Sequence, residues 1–192
     1  HDGAADPTII WNPEERAWWM LYTNRRADSP GPGHTWIHGT DIGVASSGDG
    51  GKTWLYRGIL PNLAIEPGRN TFWAPEVLAH EGVFHMYVSY VQGVPETWDY
   101  PRSMLHYTSR NLLDWQFESR LSLSSERVID ACVFRTPGGR WRMLYKDENH
   151  ESHSYAAESD DLFHWRVLGP AVTDCAHEGP NVFLWKGHYW LV

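Results

Sequence analysis

Ile129-Asp130-Ala131-Cys132-Val133-Phe134 places an acid at the mouth of an apolar strand. Pro137-Gly138-Gly139 then turns the chain, and Trp141-Arg142-Met143-Leu144-Tyr145 reads as the returning strand. The unit recurs. Further returning strands read at Trp18-Trp19-Met20-Leu21-Tyr22, Phe84-His85-Met86-Tyr87-Val88 and His188-Tyr189-Trp190-Leu191-Val192. Their first strands read at Thr8-Ile9-Ile10-Trp11, Glu76-Val77-Leu78 and Asn181-Val182-Phe183-Leu184. Third strands, Ile42-Gly43-Val44-Ala45-Ser46, Met104-Leu105-His106-Tyr107-Thr108 and Ser154-Tyr155-Ala156-Ala157-Glu158, each run into a polar turn closed by a tryptophan, Trp54, Trp115 or Trp165. A fourth strand follows each tryptophan.

Four up-and-down strands per repeat make a β-propeller blade. The expected fold is all-β, with four-stranded blades over about residues 8–60, 75–123 and 131–170 and half a blade at 180–192. No apolar stripe of helical period competes. Three and a half blades do not close a ring, and a propeller protects its edges by closing. The expectation is therefore a single, incomplete propeller domain of a five-bladed ring, lacking about 100 residues at this repeat length. Covering of the open edge by a second copy, in a homo-oligomer, is the other way to protect it.

Composition narrows the function. The 192 residues include an unusual number of aromatics, 12 Trp and 9 Tyr; core packing accounts for most of them, and aromatic faces also line sugar clefts. Net charge is -8 with no basic stripe, which argues against nucleic acid. No apolar run reaches the length of a membrane span. Cys132 and Cys175 can pair or stay free and fit no metal motif. Extracellular or periplasmic residence is the working expectation.

Aligned on their first strands, the blades read Asp6-Pro7-Thr8, Ala74-Pro75-Glu76, Asp130-Ala131-Cys132 and Gly179-Pro180-Asn181, with Glu178 one residue earlier in the last. Acids before strands commonly cap turns. Three at matching positions in a radial repeat converge on one mouth instead. Clustered carboxylates repel, so one should keep its proton near neutral pH. Glycoside hydrolysis needs that pairing, a protonated acid for the leaving oxygen and a carboxylate to activate water.

These motifs, with Trp73-Ala74-Pro75 and the turns Asn111-Leu112-Leu113-Asp114-Trp115 and Asp161-Leu162-Phe163-His164-Trp165, resemble the five-bladed propeller of glycoside hydrolase family 43 and its clan F relatives. The resemblance spans the whole chain in short motifs. It implies Asp6 as general base, Asp130 as the residue tuning the acid, Glu178 as general acid and Trp73 as a pocket wall. It implies inverting hydrolysis of plant or algal oligo- and polysaccharides of arabinose, xylose or related sugars, with no required cofactor. The histidines near the mouth, His150, His153 and His177, resemble the family 117 neoagarooligosaccharide hydrolases, which implies His150 and His177 as substrate-binding residues and a histidine as an alternative acid. The insert from Asp28 to Thr40, with His34, Trp36 and His38, has no counterpart in the pattern.

Three other readings compete. A retaining family 32-type fructan hydrolase would use the first Asp as nucleophile in an Asn-Asp-Pro-Asn setting, and Ala5-Asp6-Pro7-Thr8 departs from it. A carbohydrate-binding propeller without catalysis would keep the aromatics and lack the acids. Ser47-Gly48-Asp49-Gly50-Gly51-Lys52-Thr53-Trp54 matches the Asp-box of sialidases, read here as a structural turn. No histidine spacing makes a metal site; a hydrated calcium ion in the channel is compatible with the sequence and not implied by it.

Overall fold

A computed structural model describes residues 3–25 and 31–192. It is built of strands, with no helix among the described residues. Strands β1 (Gly3–Asn12), β2 (Ala17–Arg25), β3 (Asp41–Ser47) and β4 (Leu55–Ile59) form one antiparallel sheet in chain order. Strands β5 (Thr71–His80), β6 (Val83–Val91), β7 (Ser103–Ser109) and β8 (Gln116–Arg120) form the second. The third comprises β9 (Val128–Arg135), β10 (Trp141–Asp147), β11 (His153–Ser159) and β12 (Arg166–Val172). The hairpin β13 (Val182–Trp185) and β14 (His188–Leu191) follows. First strands of successive sheets touch, β1 on β5, β5 on β9 and β9 on β13, as strands lining a propeller axis do.

Packing between blades explains the composition of the middle strands. Alternate residues of β6 serve different cores: Met86, Val88 and Tyr90 pack with Trp19, Leu21 and Val44 of the first blade. Tyr87 packs with Val133, Met143 and Tyr145 of the third. A strand buried on both faces reads as an unbroken apolar run rather than an alternating one. The outermost sheets differ, and Trp11, Trp18, Leu55 and Tyr56 on one side and Leu184, Trp185 and Trp190 on the other are exposed.

Three of the first strands begin earlier than their sequence suggests, at Gly3, Thr71 and Val128 rather than at residues 8, 75 and 131. The reason is a β-bulge in each. Pairing shifts between Ala5 and Thr8, between Trp73 and Glu76, and opposite Leu144 and Lys146. Pro7 and Pro75 sit in two of the bulges, where a ladder hydrogen bond is missing anyway, so proline interrupts the pattern without ending the strand.

The tryptophan-closed turns are structural and alike. Asp49 Oδ1 accepts the Lys52 and Thr53 amides at 3.0 Å each, and the Trp54 indole donates to Gly51 O at 3.1 Å. Asn111 and Asp161 accept backbone amides in the same way, with Trp115 and Trp165 donating to Leu112 O and Leu162 O. Gly51, Leu112 and Leu162 all take left-handed φ, 86°, 66° and 68°. Only glycine does so without steric cost, so the buried leucines store strain that their packing offsets.

Candidate active site

The bulges build the site. Asp6 (φ 50°), Ala74 (φ 45°) and Asp130 (φ 58°) occupy the same left-handed position in the bulges of β1, β5 and β9, and Gly179 (φ 63°) takes it in the segment leading to β13. Asp, Asn and Gly reach that region most readily. Asp6, Asp130 and Glu178 line one cavity of about 500 Å³ at the propeller mouth, together with Trp73, Trp98, Ile37, Arg25, Arg102, Lys146 and Glu148. Residues remote along the chain thus share one bowl.

Each acid is held differently. The Thr23 hydroxyl donates to Asp6 Oδ2 at 3.2 Å and accepts the Ala74 amide at 2.9 Å, so its proton has one direction to point. The Gly179 amide donates to Asp130 Oδ2 at 3.1 Å, and the Asp130 amide donates to Ser89 Oγ at 3.0 Å. Burial pushes the Asp130 carboxyl up to about 7, and the charges of Asp6 and Glu178 push the same way. The Gly179 amide and Lys146 oppose the rise without cancelling it. Asp130 therefore holds its proton toward neutral pH, through burial first and the neighbouring charges second. The implied general acid, Glu178, is instead ion-paired to Lys146 Nζ at 3.0 Å and largely exposed.

Below the mouth, Thr8, Glu76, Cys132 and Asn181 stand two residues beyond each bulge and line a channel of about 470 Å³. Glu76 Oε1 accepts the Val133 amide at 2.8 Å, and Cys132 Sγ accepts the Val182 amide at 3.2 Å, which stitches successive blades. Burial raises the Glu76 carboxyl to about 7. Both cysteines are free thiols.

Trp73 is where the sequence suggested, against the cavity, with its indole donating to Ile37 O at 2.9 Å. The described part of the insert supplies that partner. His38 packs on Trp73 at 5.1 Å, His34 packs on Trp98 at 4.8 Å, and the His34 amide donates to Glu96 O at 2.8 Å. Residues 31–40 thus brace the aromatic side of the bowl, while Asp28 lies outside the described residues.

His150 and His177 are not brought to the cavity lining. His150 bonds Asp147 at 2.8 Å and packs on Tyr155. His177 spends one ring nitrogen on Ser154 Oγ at 2.6 Å and the other on Cys175 O at 2.8 Å. His150 thus bonds within the turn after β10, and His177 ties the loop that carries Glu178 to β11. Sequence reasoning missed Trp98, Arg25, Arg102, Lys146 and Glu148. Lys146 alone left a signal, a cation where the other second strands place Thr23 and Ser89.

Comparison with solved structures places the fold. A family 117 glycoside hydrolase from the marine bacterium Zobellia galactanivorans matches with a TM-score of 0.77 at 17% identity, over 98% of this chain and 65% of that one. A family 43 β-xylosidase/α-arabinofuranosidase from a compost microbial metagenome, in complex with xylotriose, matches with a TM-score of 0.71 at 15% identity, over 100% and 70%. An α-L-arabinanase of Penicillium chrysogenum complexed with arabinobiose matches with a TM-score of 0.61 at 18% identity, over 92% and 54%. No protein-family model and no curated protein matches the sequence. The metagenomic xylosidase structure is a calcium-free form. Here Thr8, Glu76 and Asn181 line the channel, together with Asp6 and Asp130. Among the described residues no three His, Cys, Asp or Glu side chains group as a metal site. The chain therefore has the β-propeller fold of the family 43 and family 117 glycoside hydrolases, over a span of about two thirds of their length.

Proposed function

We propose that this chain carries the catalytic carboxylates of an inverting glycoside hydrolase acting on plant or algal oligo- and polysaccharides. The carrying observation is the shared cavity of Asp6, Asp130 and Glu178, in which the middle acid is pushed up to about 7. Asp6 serves as general base: one oxygen is held by the Thr23 hydroxyl, and the other is left to take a proton from the attacking water. Glu178 serves as general acid: protonated in the substrate complex, it gives its proton to the glycosidic oxygen and is left as the carboxylate that Lys146 pairs, while Asp130 lines the same cavity and tunes that acid. Trp73 and Trp98 give the bowl aromatic faces suited to the apolar side of a sugar ring. Solved relatives of this fold bind xylotriose and arabinobiose, which makes xylose- and arabinose-containing oligosaccharides the first substrates to try.

A panel of nitrophenyl glycosides and oligosaccharides, with NMR of the first-formed anomer, tests the reading. Inverted product is expected; retained configuration refutes the inverting assignment. Glu178→Gln and Asp6→Asn should each lower turnover by roughly 10²–10⁴-fold with folding intact. Near-wild-type rates in either variant remove the assignment of that residue.

A further inference from the structure

Successive blades are joined at the mouth by one backbone amide each, those of Ala74, Asp130 and Gly179, and the last such joint is built differently. Thr23, Ser89 and Lys146 hold the same register, opposite Ala5, Trp73 and Ile129. Thr23 Oγ1 accepts the Ala74 amide and Ser89 Oγ accepts the Asp130 amide. A lysine ammonium has no lone pair with which to accept the next one. The Gly179 amide turns to Asp130 Oδ2 instead, and Lys146 is released for another task.

Its ammonium lies 3.0 Å from Glu178 Oε2 and 3.5 Å from Glu148 Oε1. Glu148 is fixed from behind by Arg102 at 2.8 Å and Arg127 at 3.8 Å. Both arginines also donate to Trp98 O, at 2.9 and 2.7 Å. The lysine side chain is 11% exposed and that of Glu178 is 69% exposed, so the anchored partner is the lysine and the one in need of holding is the acid. The charged groups around the pair are Asp6 on β1, Arg25 on β2, Arg102 before β7, Asp130 on β9 and Glu148 after β10.

We propose that Lys146 is a positioning residue: anchored on Glu148, it clamps the Glu178 carboxylate over the mouth, in fixed relation to the Trp98 face. An exposed glutamate would otherwise spread over several rotamers, and each turnover would pay that ordering entropy again. The same ammonium pulls against the proton on Asp130, so its removal lets Asp130 hold that proton to higher pH. The role assigned to Glu178 rests on the glycosidase reading above; the ion pairs do not.

Lys146→Met in the full chain tests the clamp, with Lys146→Arg as the conservative rescue. The expected result is a fall in kcat of about tenfold or more with KM nearly constant. Carboxyl ¹³C NMR of the substrate-free protein should show the Asp130 midpoint rising by about half a pH unit or more. The arginine variant should restore most of both. A folded Lys146→Met protein with an unmoved Asp130 midpoint, or with unchanged kcat, overturns the clamp. If Met is not tolerated at this partly buried position, Lys146→Gln is read by the same titration. Should the wild-type protein cleave no glycoside, the glycosidase reading falls alone and the titration still decides whether Lys146 acts on the acids.

Discussion

Asp130→Asn should stabilise the fold above neutral pH while it disables the site. Burial and two neighbouring acids raise the Asp130 carboxyl from 3.8 to about 7. Between those values the folded chain holds a proton that the unfolded chain has released, so stability falls as pH rises through the window. The full difference is worth roughly 4 kcal/mol above pH 7. Because the carboxyl borders an open cavity, about half of that, roughly 2 kcal/mol, is expected in practice. Asparagine removes the ionisation and little else. It tolerates the φ of 58°, and its side-chain oxygen still accepts the Gly179 amide. The raised carboxyl of Glu76 is present in both proteins and cancels in the comparison. Thermal unfolding by circular dichroism from pH 4 to pH 8 is the assay. The variant should match wild type near pH 4 and gain about 4–8 °C in Tm at pH 8. An increment that is the same at both ends of the pH range, or a variant less stable at pH 8, would refute the electrostatic argument.

Two further outcomes follow from the site and the core. Trp98→Ala keeps the backbone carbonyl that Arg102 and Arg127 bind and removes the indole, both its exposed face and its packing on His34: KM for an oligosaccharide should rise up to about tenfold with kcat nearly unchanged, read from Michaelis curves. His106 is buried against Tyr87 and His85, and burial together with the His85 charge pushes it down to about 3. Its contribution is complete above pH 6.5 and is lost as pH falls through the window below, on the order of 3–5 kcal/mol at the extreme. His106→Gln should therefore flatten the acid side of a denaturation-midpoint curve, and an unchanged acid slope would count against a neutral buried imidazole.

What the sequence disclosed and what it hid divide by the range of the interactions. The turns closed by Trp54, Trp115 and Trp165 were legible because Asp49, Asn111 and Asp161 bond amides within four residues of themselves. Asp6 and Asp130 were legible because the radial repeat fixes a common register, and a register shared by two acids is informative without coordinates. Lys146 and Glu178 are 32 residues apart, and their contact bridges the third blade and the segment leading to the last hairpin. Arg102 and Glu148 are bound across a different joint, between the second and third blades. The insert had no repeat partner to set its register, so its brace against Trp73 and Trp98 emerged only in three dimensions. His150 and His177 lie outside the cavity lining, because nearness to the mouth along the chain does not fix the direction of a ring.

The bulge separates what the fold requires from what the chemistry requires. Ala74 adopts the left-handed conformation of Asp6 and Asp130 although it carries no acid and has none of asparagine's or aspartate's local hydrogen bonds to offset the strain. Were the conformation a device for aiming carboxylates, a blade without one would have no reason to keep it. It persists there because the bulge turns the amide of Ala74 onto Thr23, and that bond joins the first blade to the second. The joint comes first, and it leaves one outward position per blade at the mouth. Aspartate suits that position sterically as well as chemically, which is why acids accumulate there with little added cost to the backbone. At the last joint glycine takes the left-handed position, ahead of β13, and the acid moves one residue earlier, to Glu178, on a longer side chain outside any strand. Reach is gained and preorganisation is lost, and the anchored ammonium of Lys146 stands where that loss is made good.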